Sequence, residues 1–192
     1  MTKREMESEV STFVPPIELG DRENYRYIPT AEVTSVLEQF GYGPKKRFVH
    51  ALYLSPDSSK AVGVTRVSEE LCEDHFVGNP VFRGFDEGEA IAQTLLLLMH
   101  FSGQISEGYT PRLGKSTISP KWPVVPPVDL NIVAERLEDN SFGGYGRILC
   151  GETVVAEGII NGSVIPRQTG DRILERRKRI QANSTPLFPI RD

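Results

Sequence analysis

At 192 residues, with 39% hydrophobic and 25% charged residues, the chain has the length and composition of one globular domain with extensions. A formal net charge of -4 argues against a general nucleic-acid binder, which is normally basic. The two cysteines, Cys72 and Cys150, lack metal-ligand spacing and MTKREMESEV has no apolar signal-peptide core, so packed thiols in a reducing cytoplasm are expected.

Residues 1–26 mix charges with Pro15-Pro16 and show no sustained period, which predicts an arm, disordered or laid across a partner. Thr30 has the character of an N-cap for a short helix that buries Val33, Val36, Leu37 and Phe40 and stops at Gly41. Arg47 to Leu54 reads as a strand, and Pro56-Asp57-Ser58-Ser59 as the turn of a hairpin returning through Ala61 to Val67. His50, inside the first of these strands, reads as structural.

Residues 85–101 contain no proline, carry Asp86 and Glu87 in the expected first turn, and are followed by Gly103. Beyond Ala90 the apolar residues cover every face, the pattern of a helix surrounded by other structure. Leu95 to Leu98 fall far short of the ~20 apolar residues of a membrane span. His100, near its end, reads as structural. Strands are then predicted at Leu113 to Trp122, Asp129 to Leu137, Tyr145 to Leu149 and Glu152 to Val164, with Gly143-Gly144 as turn material. Asp171 to Ile180 is helix-like, with five basic residues against two acids. Helix, two strands, long helix, then four strands predicts an α+β fold, one antiparallel sheet wrapped around a single long helix. The main domain would run over 27–167, with a basic tail over 168–192.

The loop feeding the long helix is the informative stretch. His75-Phe76-Val77-Gly78-Asn79-Pro80-Val81, then Gly84, Glu89-Ala90 and Ala92-Gln93, resembles the signature of the bacterial 3-hydroxyacyl-acyl carrier protein dehydratases of fatty acid synthesis, which are hot-dog-fold proteins. The likeness extends over roughly residues 28–165 and includes Lys121-Trp122-Pro123-Val124-Val125-Pro126, similar to that family's proline turn after the third strand. It implies a homodimer, or a trimer of such dimers, with each active site using His75 of one subunit and Glu89 of the other. It further implies that the Gly84 amide holds the thioester carbonyl, that the Val81 carbonyl orients the imidazole, and that Gln93 supports the Glu89 carboxylate. Phe76, Phe82 and Arg83 would line the substrate. An acyl carrier protein or another acyl thioester is the implied partner, and no metal or cofactor is required.

The residue types suit that chemistry. Removing water from a 3-hydroxyacyl thioester needs a base for the C2 proton and an acid for the C3 hydroxyl. Histidine, with an ordinary pKa of ~6.5, suits the first role. Glu89 suits the second, since a glutamate on an apolar helix is pushed toward its neutral form, and Asp86 on the same face would push it the same way. A helix N-terminus at Gly84 favours the negative charge developing on the thioester oxygen.

The chain also departs from the family. Val77 and Arg83 stand where prolines are usual, and Phe85-Asp86-Glu87-Gly88 replaces an apolar segment beside the family's acyl tunnel. Arg83 could meet a phosphate or carboxylate of the substrate or remain a surface cation. Two alternatives stay open: a non-catalytic hot-dog subunit that binds an acyl carrier or pairs with an active homologue, and an enoyl thioester isomerase using the same two residues. Docking to an acidic carrier would require a basic patch, with Lys45-Lys46-Arg47, Arg83 and the Arg172 to Arg179 tail as candidates.

Overall fold

The computed structural model describes residues 24–72, 78–106, 108–137 and 142–182. In chain order these form β1 (Arg26–Ile28), α1 (Thr30–Gln39), a 3-10 turn (Pro44–Lys46), β2 (Ala51–Leu54), β3 (Lys60–Val67), α2 (Glu69–Cys72), α3 (Gly84–Phe101), β4 (Tyr109–Leu113), β5 (Thr117–Pro120), β6 (Val128–Arg136), β7 (Gly143–Cys150), β8 (Thr153–Pro166) and α4 (Arg167–Ala182). The strands make one 8-stranded antiparallel sheet in the order β1-β2-β3-β6-β7-β8. Strand β8 is long enough to take two partners on the edge away from β7, β5 along Ala156–Ile159 and β4 along Gly162–Pro166.

Helix α3 is the axis of the fold. Ala90 to Ala92 and Leu95 to Met99 are all buried, because β3, β5, β6, β7 and β8 curve around one side while α1 closes another. Fully burying a leucine contributes about 1.5–3 kcal/mol, so the run Leu95 to Leu98 is a main source of the fold's stability. The helix lies very close to β7, where a Cβ at Gly146 would collide with Ile91 and one at Gly144 with Leu95. Glycine is therefore needed at both positions for approach, not for turning, and the expectation that Gly143-Gly144 form a turn is corrected: both lie within β7. No helix among the described residues is long and apolar enough to cross a membrane.

Local chemistry sets the ends of the elements. Helix α1 begins one residue earlier than the N-cap pattern suggested. Pro29 is the cap residue, and its carbonyl accepts from Glu32 and Val33 N–H, so Thr30 sits inside the first turn without a capping hydrogen bond. Its other end closes as expected at Gly41, in the left-handed region at φ +88, with Gly41 N–H donating to Glu38 and Tyr42 N–H to Leu37. Gly103 ends α3 in the same way, with bonds back to His100 and Met99.

Two sequence-based expectations change in length. The strand predicted from Arg47 is regular only over Ala51–Leu54, because the backbone of 46–49 bonds to a side chain of α3. The strand predicted over Leu113 to Trp122 is two strands broken at Gly114-Lys115-Ser116, where Asn161 of β8 takes over: its carbonyl accepts from Gly114 N–H (2.6 Å) and its side-chain amide donates to Lys115 (3.1 Å). Residues 1–23, and with them most of the expected arm, lie outside the described residues, whereas β1 already pairs Arg26 with Leu54. Helix α4 packs on the β4–β8 pair at Gly170, where a Cβ would meet Thr110.

Candidate active site

The first two turns of α3 gather the charged residues of interest. The approach to them is fixed by Phe82, whose N–H donates to the Val124 carbonyl (2.8 Å) and whose buried ring meets Phe48 edge-on at 5.5 Å. Helix α3 then starts at Gly84, where a Cβ would stand 2.9 Å from the Pro120 side chain. Only a glycine lets this helix end lie against β5 without displacing the proline ring. The helical period places Asp86 and Glu89 on one face and turns Glu87, 200° round the axis from Glu89, to the opposite side.

Asp86 is buried and neutralised. Its carboxylate accepts from Arg83 Nε and lies 3.3 Å from Lys46 Nζ. Lys46 is delivered by the 3-10 turn, and Gln93 holds that turn in place: its Oε1 accepts from Phe48 N–H (2.9 Å) and Val49 N–H (3.4 Å), and its Nε2 donates to the Lys46 carbonyl (2.6 Å). This revises the role expected of Gln93. Its partners are the backbone of 46–49, not Glu89, because one turn beyond Glu89 the fully buried amide meets a chain segment with unpaired groups to satisfy. Arg83 likewise has an internal partner in Asp86, so it is not a bare surface cation.

Glu89 is half buried and accepts a hydrogen bond from the Tyr42 phenol. Burial raises the Tyr42 pKa strongly, and the adjacent Glu89 charge and hydrogen bond raise it further, so the phenol remains a proton donor. The Schellman turn at Gly41 is what carries Tyr42 to this position. A cavity of about 420 Å³ opens in front of the pair, lined among others by Lys46, Phe85, Ala92, Pro111 and Leu113. Phe85 is 79% exposed at its mouth.

Glu87 occupies the other side of the helix. It is only 2% exposed, its Oε2 has no hydrogen-bond partner among the described residues, and burial alone pushes its pKa up to about 7. The carboxyl that burial raises on this helix is thus Glu87, which the sequence did not single out, while Asp86, expected to act as a like charge on Glu89, is paired with two cations. A second cavity of about 340 Å³ adjoins Glu87, lined by Val81, Phe82, Gly84, Pro120, Lys121 and Trp122 among others.

Of the residues singled out from sequence, His75 and Phe76 lie outside the described residues, as does any contact between the Val81 carbonyl and the imidazole. Val81 and Gly84 share the Glu87 cavity, Phe82 is chiefly a core residue, and Glu89 faces the other cavity. Sequence reasoning did not find Tyr42 or the separate position of Glu87. Tyr42 left a trace only as the residue after a helix-stopping glycine, and Glu87 only as a carboxylate in a segment otherwise expected to be apolar. The packing role of cysteine holds for Cys72, whose thiol pKa is raised by burial, and His50 accepts from Arg66 N–H (3.2 Å) through Nδ1 as a structural histidine.

No protein-family model matches the chain, and no curated protein matches its sequence. Solved structures do resemble it. The dehydratase heterocomplex ApeI:P from Xenorhabdus doucetiae is similar over 78% of this chain and 99% of that one, with 15% identity and a TM-score of 0.60. A mutant of the fluoroacetyl-CoA-specific thioesterase FlK is similar over 60% and 92%, with 12% identity and a TM-score of 0.51. A hot-dog-like protein from Thermanaerovibrio acidaminovorans is similar over 61% and 89%, with 18% identity and a TM-score of 0.49. At such identities the likeness carries architecture and not activity. An antiparallel sheet wrapped around α3, matched by the ApeI:P and FlK structures, gives the chain the hot-dog fold.

Proposed function

We propose that the chain is a (3R)-hydroxyacyl thioester dehydratase that produces a trans-2-enoyl thioester, with His75 as base and Glu89 as acid. The observation that carries the proposal is the Glu89–Tyr42 pair at the mouth of a cavity, on the helix into which the His75 motif leads. In this reading His75 removes the C2 proton, negative charge moves onto the thioester oxygen at the Gly84 amide, and Glu89 returns a proton to the departing C3 hydroxyl. Tyr42 acts as a positioning residue by fixing the carboxyl oxygen that accepts its hydrogen bond. A homodimer would supply His75 and Glu89 from different subunits. Phe85, 79% exposed, and Trp122, 62% exposed, are suitable surfaces for such an interface. An acyl carrier protein in the cytoplasm is the partner this reading favours.

The test is conjugated-enoyl absorbance from a 3-hydroxyacyl carrier substrate with wild type, His75→Ala and Glu89→Gln, alongside release of free thiol. Enoyl formation that falls at least 100-fold in each folded variant, with no thiol release, supports the dehydratase. Thiol release without enoyl product would make the chain a thioesterase, and movement of an existing double bond without dehydration would make it an isomerase. A second reading is a non-catalytic subunit paired with an active homologue. The resemblance to a dehydratase heterocomplex favours it over other non-enzymatic readings, and dehydration that appears only on mixing with such a homologue would establish it.

A further inference from the structure

The Glu87 carboxyl has no role in the mechanism just proposed, yet its burial is costly. A buried carboxylate is ordinarily matched by a cation or by hydrogen-bond donors. Here the cations near it are committed elsewhere: Arg83 Nε to Asp86, and Lys121 Nζ to Glu157 at 2.9 Å. Oε2 stands 3.8 Å from the position a Cβ would take on Gly84, so it lies beside the N-terminus of α3 and next to the cavity that Gly84 lines. That helix end attracts negative charge, and Oε2 has no protein donor among the described residues.

We propose that Glu87 and the cavity it adjoins form a subsite for a neutral hydrogen-bond donor, a hydroxyl group of the acyl thioester. The chemistry of the walls selects this class of group. Val81, Phe82, Pro120 and Trp122 suit an apolar chain or ring, and the cations on the same wall, Lys121 and Arg83, are already paired with Glu157 and Asp86. A hydrocarbon alone would leave the carboxyl unpaired, and an anionic group would meet its charge. A hydroxyl gives Oε2 the donor it lacks and adds no charge. Two hydroxyls qualify: the one that leaves from C3, or a further one along the acyl chain. The inference rests on the acyl thioester reading above and narrows its substrate.

The experiment compares wild type, Glu87→Gln and Glu87→Leu on two 3-hydroxyacyl N-acetylcysteamine thioesters of equal length, one with a plain alkyl chain and one with an added hydroxyl. If the subsite takes the added hydroxyl, wild type should prefer that substrate at least tenfold in kcat/KM, Glu87→Leu should abolish the preference, and Glu87→Gln should keep part of it through its amide oxygen. If it takes the C3 hydroxyl, Glu87→Leu should lose at least tenfold on both substrates. Unchanged kcat/KM on both overturns the subsite. Binding of unreactive thioether analogues with and without hydroxyls, followed by calorimetry, separates the two proposals. Hydroxyl-selective binding lost in Glu87→Leu without turnover in wild type keeps the subsite and rejects the dehydratase. Turnover and analogue binding both indifferent to residue 87 keep the dehydratase and reject the subsite.

Discussion

Glu87 should make the stability of the protein depend on pH in a defined window. Its carboxyl moves from an ordinary 4.5 in the unfolded chain to about 7 in the fold, with burial as the cause. Between those values the folded state holds more of this proton than the unfolded state does, so stability falls as pH rises from 4.5 through 7. Below 4.5 the group is neutral in both states and contributes nothing to the dependence. Above 7 folding buries a charge, at roughly 3 kcal/mol for a displacement of that size. Glu87→Gln keeps the shape and removes the titration. Thermal unfolding of the two proteins at matched ionic strength should give similar Tm values at pH 4.5. The variant should gain progressively and melt roughly 6–12 °C higher at pH 8, since about 1 kcal/mol corresponds to roughly 2–4 °C in a chain of this size. Parallel Tm curves from pH 4.5 to 8 would show that Glu87 is not a buried, uncompensated carboxyl, and the subsite inference would lose its physical basis.

Three further outcomes are expected. Gln93→Leu should destabilise the fold by at least about 2 kcal/mol in urea, because the Phe48 N–H and Lys46 carbonyl lose their partner; hydrogen exchange should accelerate at 46–49 before it does elsewhere. Gly146→Ala should cost about 1–3 kcal/mol through collision with Ile91 Cγ2, and Ile91→Ala, which removes that methyl, should cost less in the Gly146→Ala chain than in wild type, a coupling that a double-mutant cycle reads directly. Tyr42→Phe should leave the protein folded and lower kcat for dehydration about tenfold with little change in KM; an unaltered kcat would remove Tyr42 from the site.

The parts of the fold visible in the sequence are those written by local periodicity. Helix α3 showed itself by an apolar run bounded by Asp86 and Gly103, and the β2–β3 hairpin by Pro56-Asp57-Ser58-Ser59, where Asp57 does accept from Ser59 N–H (3.1 Å). What stayed hidden depends on partners distant in the chain. The break between β4 and β5 is set by Asn161, 45 residues beyond Ser116. Glycines 143 and 144 resemble a turn until Leu95 is seen pressing on the strand. At the site, the motif gave the position of Glu89. The neutralisation of Asp86 by Lys46, 40 residues away, and the isolation of Glu87 follow from tertiary packing alone. Burial separates two adjacent carboxylates that sequence treats alike: Asp86 has cations within reach and Glu87 has a cavity.

The close seating of α3 against β7 has a consequence for how such a site can diversify. Ile91 and Leu95 sit in notches left by two missing side chains, like pins in a keyway, so the helix can neither slide lengthwise nor roll without riding up on the strand. A third notch, Gly88 against Ile118, lies between the two carboxylates that face the cavities. With its axis pinned, the helix presents residues 85, 86, 87 and 89 at fixed heights and angles, whatever their identity. New substrate preferences can then arise by exchanging those four side chains while the frame stays still, and a change in the notches themselves would shift every one of them at once.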